Sequence, residues 1–244
     1  MRLRKTDVYD KGILLRAPLT LKGTAEEKEL LSRILDMAYL SRLRRLSNTG
    51  FSIIANNCCG SFMYESLRLK KLSPTCDMEI ASHEFVGFCR HLKEYLRMPV
   101  DAPTEEDRKK YPGCNVPIGI LRGNDVLPPV GLIFTHYDSL ENARETWYRR
   151  RERVNYDKLF FVMDCGVESD EELLDEFEQL PYENKVIFTK AEDRERWKDT
   201  FCFRCFTDGN YRLGYVFDYL FTESGLFNVL DEFDYVSWLN REGG

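Results

Sequence analysis

The stretch FSIIANNCCGSFMYESL, residues 51–67, joins an apolar run to a helix-like segment through a polar turn. Phe51 to Ala55 is short and apolar, which favours a buried strand, and Ser61 to Leu67 has helical spacing. The turn between them contains Asn56, Asn57, Cys58, Cys59 and Gly60. A strand that leads directly into a helix is the unit from which α/β sheets are built.

The same alternation continues along the chain. Residues 139–154 and 170–179 have helical patterns, and each precedes a strand pattern, at 158–163 and 185–189. VPIGIL and VGLIFTHY flank Arg122 to Asp125 and predict an antiparallel hairpin. The sequence therefore predicts a three-layer, Rossmann-like α/β fold with a mainly parallel sheet, flanking helices and one hairpin.

One continuous domain over 1–244 is the simplest division of this sequence. Residues 1–48 are expected to form a helical extension packed on the domain. Residues 215–244 are expected to add C-terminal helices, two of them aromatic-rich and running from Tyr215 to Leu239 around Ser224 and Gly225.

Composition excludes several classes of protein. The chain is 43% hydrophobic, which is ordinary for a folded protein, and its net charge of −6 argues against a nucleic-acid partner. No apolar stretch reaches the ~18 residues that cross a bilayer, and the basic start lacks the apolar core of a signal peptide, so we expect a cytoplasmic protein.

The helix predicted over 24–46 ends in Arg42, Arg44 and Arg45; it is expected to pack on its own domain, with peripheral membrane association as the alternative.

The eight cysteines are expected to be thiols in this compartment. Cys202 and Cys205 form a CxxC, which suits zinc or redox chemistry, but a second ligand pair is missing and the three histidines form no HxxxH. Core packing is the favoured interpretation of the pair. The sequence predicts neither a metal nor a cofactor.

The polar turn is the first candidate site. If the strand before it is central, its carboxyl end lies where open α/β sheets bind ligands, and the start of the next helix favours phosphate or carboxylate. Gly60 permits close backbone approach, while Asn56, Asn57 and Ser61 supply short polar side chains. Neither GxxxxGK[ST] nor GxGxxG is present. The alternatives are that Asn57 or Ser61 merely caps the helix, or that Cys58 is a nucleophile.

A second candidate cluster lies between residues 135 and 165. His136 and Tyr137 end a strand, and His136 is the best acid–base candidate because imidazole titrates near neutral pH. A structural histidine is the alternative. Asp164 closes the next strand; it could orient a sugar hydroxyl, accept a proton, hold a metal or cap the turn at Gly166.

The helix within this cluster carries Trp147, Arg150 and Arg153 at spacings of three. Trp147 and Arg150 share a face, and Arg150 and Arg153 can clamp a phosphate or carboxylate. A solvated helix end accounts for such an arginine run equally simply. The acidic pair Asp77 and Glu79, one residue apart, is typical of a metal site in some sugar transferases, but pairs of this kind often arise by chance.

Several separated segments resemble, in order, a bacterial family described as exopolysaccharide-biosynthesis proteins and otherwise catalogued as a domain of unknown function. They are Ile53 to Gly60, His136 to Asn155, Leu180 to Thr189 (LPYENKVIFT) and Phe233 to Asn240 (FDYVSWLN). Cys59 stands where the family pattern has tryptophan, and Ser61 where it has a second glycine. The resemblance implies an α/β fold and a link to surface-polysaccharide assembly.

Three functions are consistent with these patterns. The first is a transferase that moves a sugar or sugar substituent from an anionic small-molecule donor, such as a nucleotide sugar, to a glycan acceptor. There Asn56, Asn57, Gly60 and Ser61 hold the donor, Arg150 and Arg153 offset its charge, and His136 or Asp164 handles the proton. The second is a non-catalytic protein that binds a glycan or partner through Tyr137, Trp147 and Trp238. The third is a cysteine-dependent hydrolase or acyltransferase using Cys58 and His136.

Overall fold

A computed structural model describes residues 8–9, 12–15, 25–166, 170–190, 193, 195–203, 219–222 and 225–241. Its helices are α1 (Ala25–Arg45), α2 (Cys59–Ser66), α3 (Ser82–Arg90), α4 (Leu92–Arg97), α5 (Glu105–Lys109), α6 (Leu140–Arg151), α7 (Glu171–Glu178) and α8 (Tyr235–Leu239). Its strands are β1 (Val8–Tyr9), β2 (Gly12–Leu15), β3 (Ser52–Ala55), β4 (Ile118–Leu121), β5 (Val130–Ile133), β6 (Leu159–Gly166), β7 (Lys185–Thr189), β8 (Thr200–Phe201), β9 (Tyr219–Thr222) and β10 (Gly225–Asn228).

The central sheet has the strand order β3-β6-β7-β8, and each of its neighbouring pairs is parallel. Successive residues of its strands point to opposite faces: Ile53 and Phe160 pack into one cluster, Ile54 and Phe161 into the other. The first cluster includes α2 and α8, and the second includes α3, α6 and α7. Helices therefore cover both faces of a mainly parallel sheet, and the predicted α/β fold is confirmed.

The predicted hairpin is also confirmed. β4 and β5 pair antiparallel as a separate two-stranded sheet, in the register Ile118 with Ile133 and Leu121 with Val130. The predicted helix at 139–154 is α6, and Ser139 caps it by accepting a hydrogen bond from the Asn142 amide at 3.2 Å. The short helix–strand repeat after β6 is α7 followed by β7.

β3 lies at the end of the sheet order, so the condition that it be a central strand is not met. Its outer edge is covered from within the molecule. The Ile53 amide donates to the Tyr64 hydroxyl at 3.1 Å, and the Ala55 amide donates to Thr75 Oγ1 at 3.0 Å. These side chains take the place of a neighbouring strand, so all four residues of β3 are buried although β3 is an edge strand. The apolar pattern of the sequence therefore could not show whether β3 is central or at the edge.

The predicted chain ends need correction. Residues 219–222 and 225–228 are the antiparallel strands β9 and β10, where the first of two C-terminal helices was predicted; residues 215–218 lie outside the described residues. The N-terminal segment also contains β1 and β2 ahead of α1, and β2 pairs with β9. The tail residues Tyr219 to Thr222 are mostly aromatic or β-branched, which suits strands, and a pairing partner some 200 positions away leaves no local periodicity.

Candidate functional site

The turn after β3 directs its polar side chains inward. Asn56 and Asn57 are 5% and 4% exposed. Cys58 holds the N-cap position of α2 without a side-chain capping bond, and Asn57 Oδ1 accepts from the Cys59 amide at 2.9 Å instead. Asn57 therefore caps the first turn of α2 from one position earlier.

Asn56 joins the turn to the end of β6. Its Oδ1 accepts from the Asp164 amide at 2.8 Å, and its Nδ2 donates to the Asp164 carbonyl at 3.0 Å. The side-chain amide thus pairs with a backbone peptide as a strand residue would, beyond the point where β3 ends. The 56–61 turn and Asp164, which the transferase hypothesis assigns to one site, are therefore in contact.

Asp164 places a carboxylate against the start of α2. It is 5% exposed; Oδ2 accepts from Asn57 Nδ2 at 2.9 Å, and Oδ1 accepts from the Gly166 amide at 3.0 Å. Gly166 has φ +54°, a left-handed conformation that glycine adopts without strain. The protein's own carboxylate therefore lies at the helix start where the sequence predicted an external anion.

Gly60 has a packing role in this turn. A Cβ at this position would lie 3.1 Å from both the Ala55 Cβ and the Ile53 Cγ2 atoms. The absence of a side chain lets α2 pack closely on β3. The prediction that Gly60 admits a ligand to the backbone is corrected accordingly, because the adjoining space holds two core side chains.

Asp77 connects the turn to the second predicted cluster. Its amide donates to Ser61 Oγ at 2.7 Å, and its carboxylate pairs with Lys71 Nζ at 2.6 Å and Arg150 Nη2 at 2.8 Å. Burial alone would raise the pKa of Asp77, but the bonds from Lys71 and Arg150 outweigh it and hold that pKa below its ordinary value. Asp77 has φ +65°, an uncommon conformation that aspartate adopts more readily than most residues.

Arg150 is fixed by this arrangement. Besides Asp77, its Nη1 donates to the Cys76 carbonyl at 2.9 Å and to the Tyr137 hydroxyl at 3.0 Å. Its donors therefore position the 76–77 loop rather than stand open for a ligand. Arg153, its predicted partner in an anion clamp, is half-buried, and its side chain makes no hydrogen bond or ion pair within the described part of the chain.

Glu79, unlike Asp77, has a carboxylate that is not paired with a cation among the residues that the structure describes. Its backbone pairs with Ile133 in both directions, at 2.8 and 2.9 Å, which places it beside the end of β5 and the following residues Thr135 and His136. It is half-buried, and no group in the described residues hydrogen-bonds its carboxylate. Burial raises the pKa of Glu79, and the opposing effect of the nearby His136 is smaller. His136 itself is exposed.

The side chain of Cys58 connects the turn to Thr135, next to the Glu79 segment. Its Sγ is 3.8 Å from Thr135 Oγ1, and Thr135 also reaches the Asp77 carbonyl at 3.5 Å. Burial raises the pKa of the Cys58 thiol to about 11, and the nearby carboxylates of Glu79 and Asp77 add to the effect. Cys58 is therefore a protonated thiol at neutral pH, a poor nucleophile.

Trp147 belongs to the hydrophobic core. It is 1% exposed, and its ring lies 6.3 Å from that of Phe88. Its predicted role in substrate binding is corrected, because the face it shares with Arg150 points into packed side chains. Trp238, offered as a contact surface, is also buried, at 4% exposed.

Lys71, Thr135 and Glu79 complete the site, and the roles of Lys71 and Thr135 were not predicted from sequence. Lys71 falls in no motif and reaches the cluster only through the fold. Thr135 begins the predicted cluster at 135–165, but no role was assigned to it there. Glu79 stood in the acidic pair with Asp77, but Asp77 is bound by two cations while Glu79 is not. Among the described residues, no group of three or more histidines, cysteines and acids is placed to hold a metal ion.

The fold and site together define an α/β protein with a polar, titratable cluster where β3, β5 and β6 end. The chain belongs to the family described as "Domain of unknown function (DUF1919)", whose sequence profile matches residues 30–240. An uncharacterized protein of Haemophilus influenzae is 31% identical over 201 residues, which cover 81% of this chain and 88% of that protein. Neither description names a substrate or a reaction.

Within the described ranges, no helix combines the length and apolar character needed to cross a membrane.

Proposed function

We infer that the protein is a transferase that moves a sugar, or a substituent of a sugar, onto a hydroxyl group of a glycan. The observation that carries this proposal is Glu79, a half-buried carboxylate with a raised pKa beside His136 at the ends of the strands. A carboxylate without a neutralising hydrogen bond is available to accept a proton, and a raised pKa makes it a stronger base.

In the proposed reaction Glu79 takes the proton of the acceptor hydroxyl. The acceptor oxygen forms the new bond to the transferred carbon while the bond to the donor's leaving group breaks, and the leaving group keeps that electron pair. His136, exposed on the same rim, lies where it can hydrogen-bond the substrate. The Lys71–Asp77–Arg150 network holds the loop that carries Glu79.

The turn at 56–61 has a supporting role in this proposal. The side-chain amides of Asn56 and Asn57 bind Asp164. The Asp164 carboxylate disfavours a second negative charge at the start of α2. In this proposal the turn therefore contacts an uncharged, hydroxyl-bearing part of the substrate. Exopolysaccharide or capsule assembly, which the sequence resemblance implies, supplies the substrate class of the proposal.

The two other predicted functions have less support. The non-catalytic alternative relied on Tyr137, Trp147 and Trp238. Both tryptophans are buried, and the hydroxyl of the half-buried Tyr137 accepts a hydrogen bond from Arg150. The cysteine-dependent alternative needs a thiolate, whereas burial raises the pKa of Cys58 to about 11. The bonding partner of its sulfur is the hydroxyl of Thr135.

The test is a screen followed by an assay of matched variants. Nucleotide sugars and acyl-coenzyme A are screened by thermal shift, and consumption of each stabilising donor is then measured with glycan acceptors. We expect Glu79→Gln to slow consumption by about 100-fold or more, as for loss of a general base, while Glu94→Gln, an exposed carboxylate of α4, behaves as wild type. No stabilising donor, or equal rates in the two variants, would overturn the proposal.

A further inference from the structure

A cavity of about 290 Å³ lies apart from the site described above. It is lined by Leu96, Arg97, Arg151, Glu152, Val154 and Tyr156. None of these residues belongs to the Glu79 site. Tyr156 precedes β6, and Asp164 lies near the other end of that strand, about 16 Å away along its length from Leu159.

The charge of this cavity is positive. Arg97 is exposed, and no hydrogen bond or ion pair of its side chain occurs within the described ranges. Lys93 Nζ lies 5.2 Å from the centre of the Tyr156 ring and adds a cation at the rim. The carboxylate of Glu152 offsets one of these charges through its contact with Arg151 Nε at 3.2 Å.

Arg151 is held in place before any ligand arrives. Its Nη1 donates to the carbonyls of Leu96 and Met98 at 3.0 and 3.2 Å, where α4 ends. Its guanidinium also lies 4.6 Å from the centre of the Tyr148 ring. A fixed guanidinium loses little freedom when it binds an anion. Its Nε and Nη1 groups are used by Glu152 and the two carbonyls, and Nη2 makes no hydrogen bond within the described residues, so Nη2 can donate to a phosphate oxygen.

Tyr156 gives the cavity an aromatic wall. The residue is 38% exposed, and Lys93 Nζ lies over its ring. Leu96 and Val154 add apolar surface beside it. Cations next to an aromatic wall suit a ligand that carries both an anionic group and a flat, weakly polar face.

We propose that this cavity is a binding site for a small phosphate ester, with the phosphate on Arg97 and Arg151 and the carbon skeleton against Tyr156. A volume of about 290 Å³ is at the lower end of ligand cavities and suits a phosphorylated monosaccharide. The site is independent of the proposed transferase chemistry, since it shares no residue with it.

The experiment is an amide NMR titration of the full chain with two probes, inorganic pyrophosphate and glucose 1-phosphate. Both are expected to give saturable shifts at residues 93–97 and 151–156. Arg97→Gln should weaken both probes by about tenfold or more, the effect of losing a charge-assisted hydrogen bond. Arg44→Gln, an exposed arginine on α1, is the matched control and should leave both affinities unchanged.

Tyr156→Leu separates the two parts of the proposal. It should weaken glucose 1-phosphate several-fold and leave pyrophosphate unchanged, because only the ester has a face to pack on the ring. Absence of saturable shifts, or equal weakening by Arg97→Gln and Arg44→Gln, would overturn the site. Equal affinity of Tyr156→Leu and wild type for the ester would overturn the assignment of a sugar phosphate.

Discussion

Two carboxylates of the candidate site, Asp77 and Glu79, are separated by one residue and have opposite environments. Asp77 lies between Lys71 and Arg150, which hold its pKa low despite burial. Glu79 is buried to a similar degree without such bonds, and its pKa is raised. Asp77 has φ +65°, so the segment is not regularly extended at this residue, and the two acids do not meet the same groups. Asp77 stabilises the loop, and Glu79 is left to exchange protons.

The raised pKa of Glu79 has a consequence for stability. The folded state holds this proton more tightly than the unfolded state, so the associated stabilisation is complete below the ordinary glutamate pKa and is lost as pH rises through the raised value. Glu79→Gln removes the ionisation. We expect the melting temperature of Glu79→Gln to increase relative to that of wild type as pH rises from the ordinary glutamate pKa, about 4.3, through the raised value. The measurement is thermal unfolding of both proteins across that range; a constant difference would contradict the raised pKa.

At the scale of elements, the free edge of β3 is closed by side chains rather than by another strand. The Tyr64 hydroxyl accepts from the Ile53 amide and donates to the Phe51 carbonyl at 3.0 Å, so one side chain of α2 satisfies two backbone groups. Tyr64 is fully buried. The same helix that begins at the polar turn thus secures the strand before it.

Tyr64→Phe tests this closure. The substitution keeps the ring but leaves a buried amide and carbonyl without partners, and we expect the free energy of unfolding to fall by about 1–3 kcal/mol. The measurement is urea unfolding, with Tyr156→Phe, a half-exposed ring outside the core, as the control. Equal stability of the two variants would show that β3 is held by other contacts.

At the scale of the whole molecule, α1 is tied to the C-terminal segment across nearly the full length of the sequence. Arg42 forms a two-pronged ion pair with Asp231, at 3.0 and 2.5 Å, and Arg45 pairs with Asp234. Asn48 Nδ2 donates to the Leu239 carbonyl at 2.9 Å. At the basic end of α1, Arg42 and Arg45 therefore bind acids of their own chain.

Arg42→Leu should lower the free energy of unfolding by about 1–3 kcal/mol, because the half-buried Asp231 carboxylate loses charge-assisted hydrogen bonds. Arg33→Leu, on the same helix, breaks an exposed pair with Glu29 and should cost about 0.5 kcal/mol or less. Urea unfolding of both variants is the measurement. Equal costs would mean that the Arg42 pair does not join the two ends of the chain.

The sequence predicted the central part of the fold better than its ends. β3, β6 and β7 are apolar runs bounded by helices, so local pattern alone identifies them. The tail could not be predicted in this way, because Tyr219 to Thr222 pairs with β2 far away in sequence. In the site, Asn57 and Asp164 each come at the end of an apolar run, so the sequence alone could identify both as strand-end residues. The position of Glu79 depends on its isolated β-bridge to Ile133, and no sequence pattern predicts that bridge.

The pH dependence of the transfer rate tests the role of Glu79 most directly. As a general base, Glu79 acts in its ionised form, so the wild-type rate should rise with pH through a pKa above the ordinary glutamate value. Glu79→Gln should be slow throughout and should lack this rise. A Glu79→Gln enzyme that keeps the wild-type rate and the same rise with pH would contradict the account.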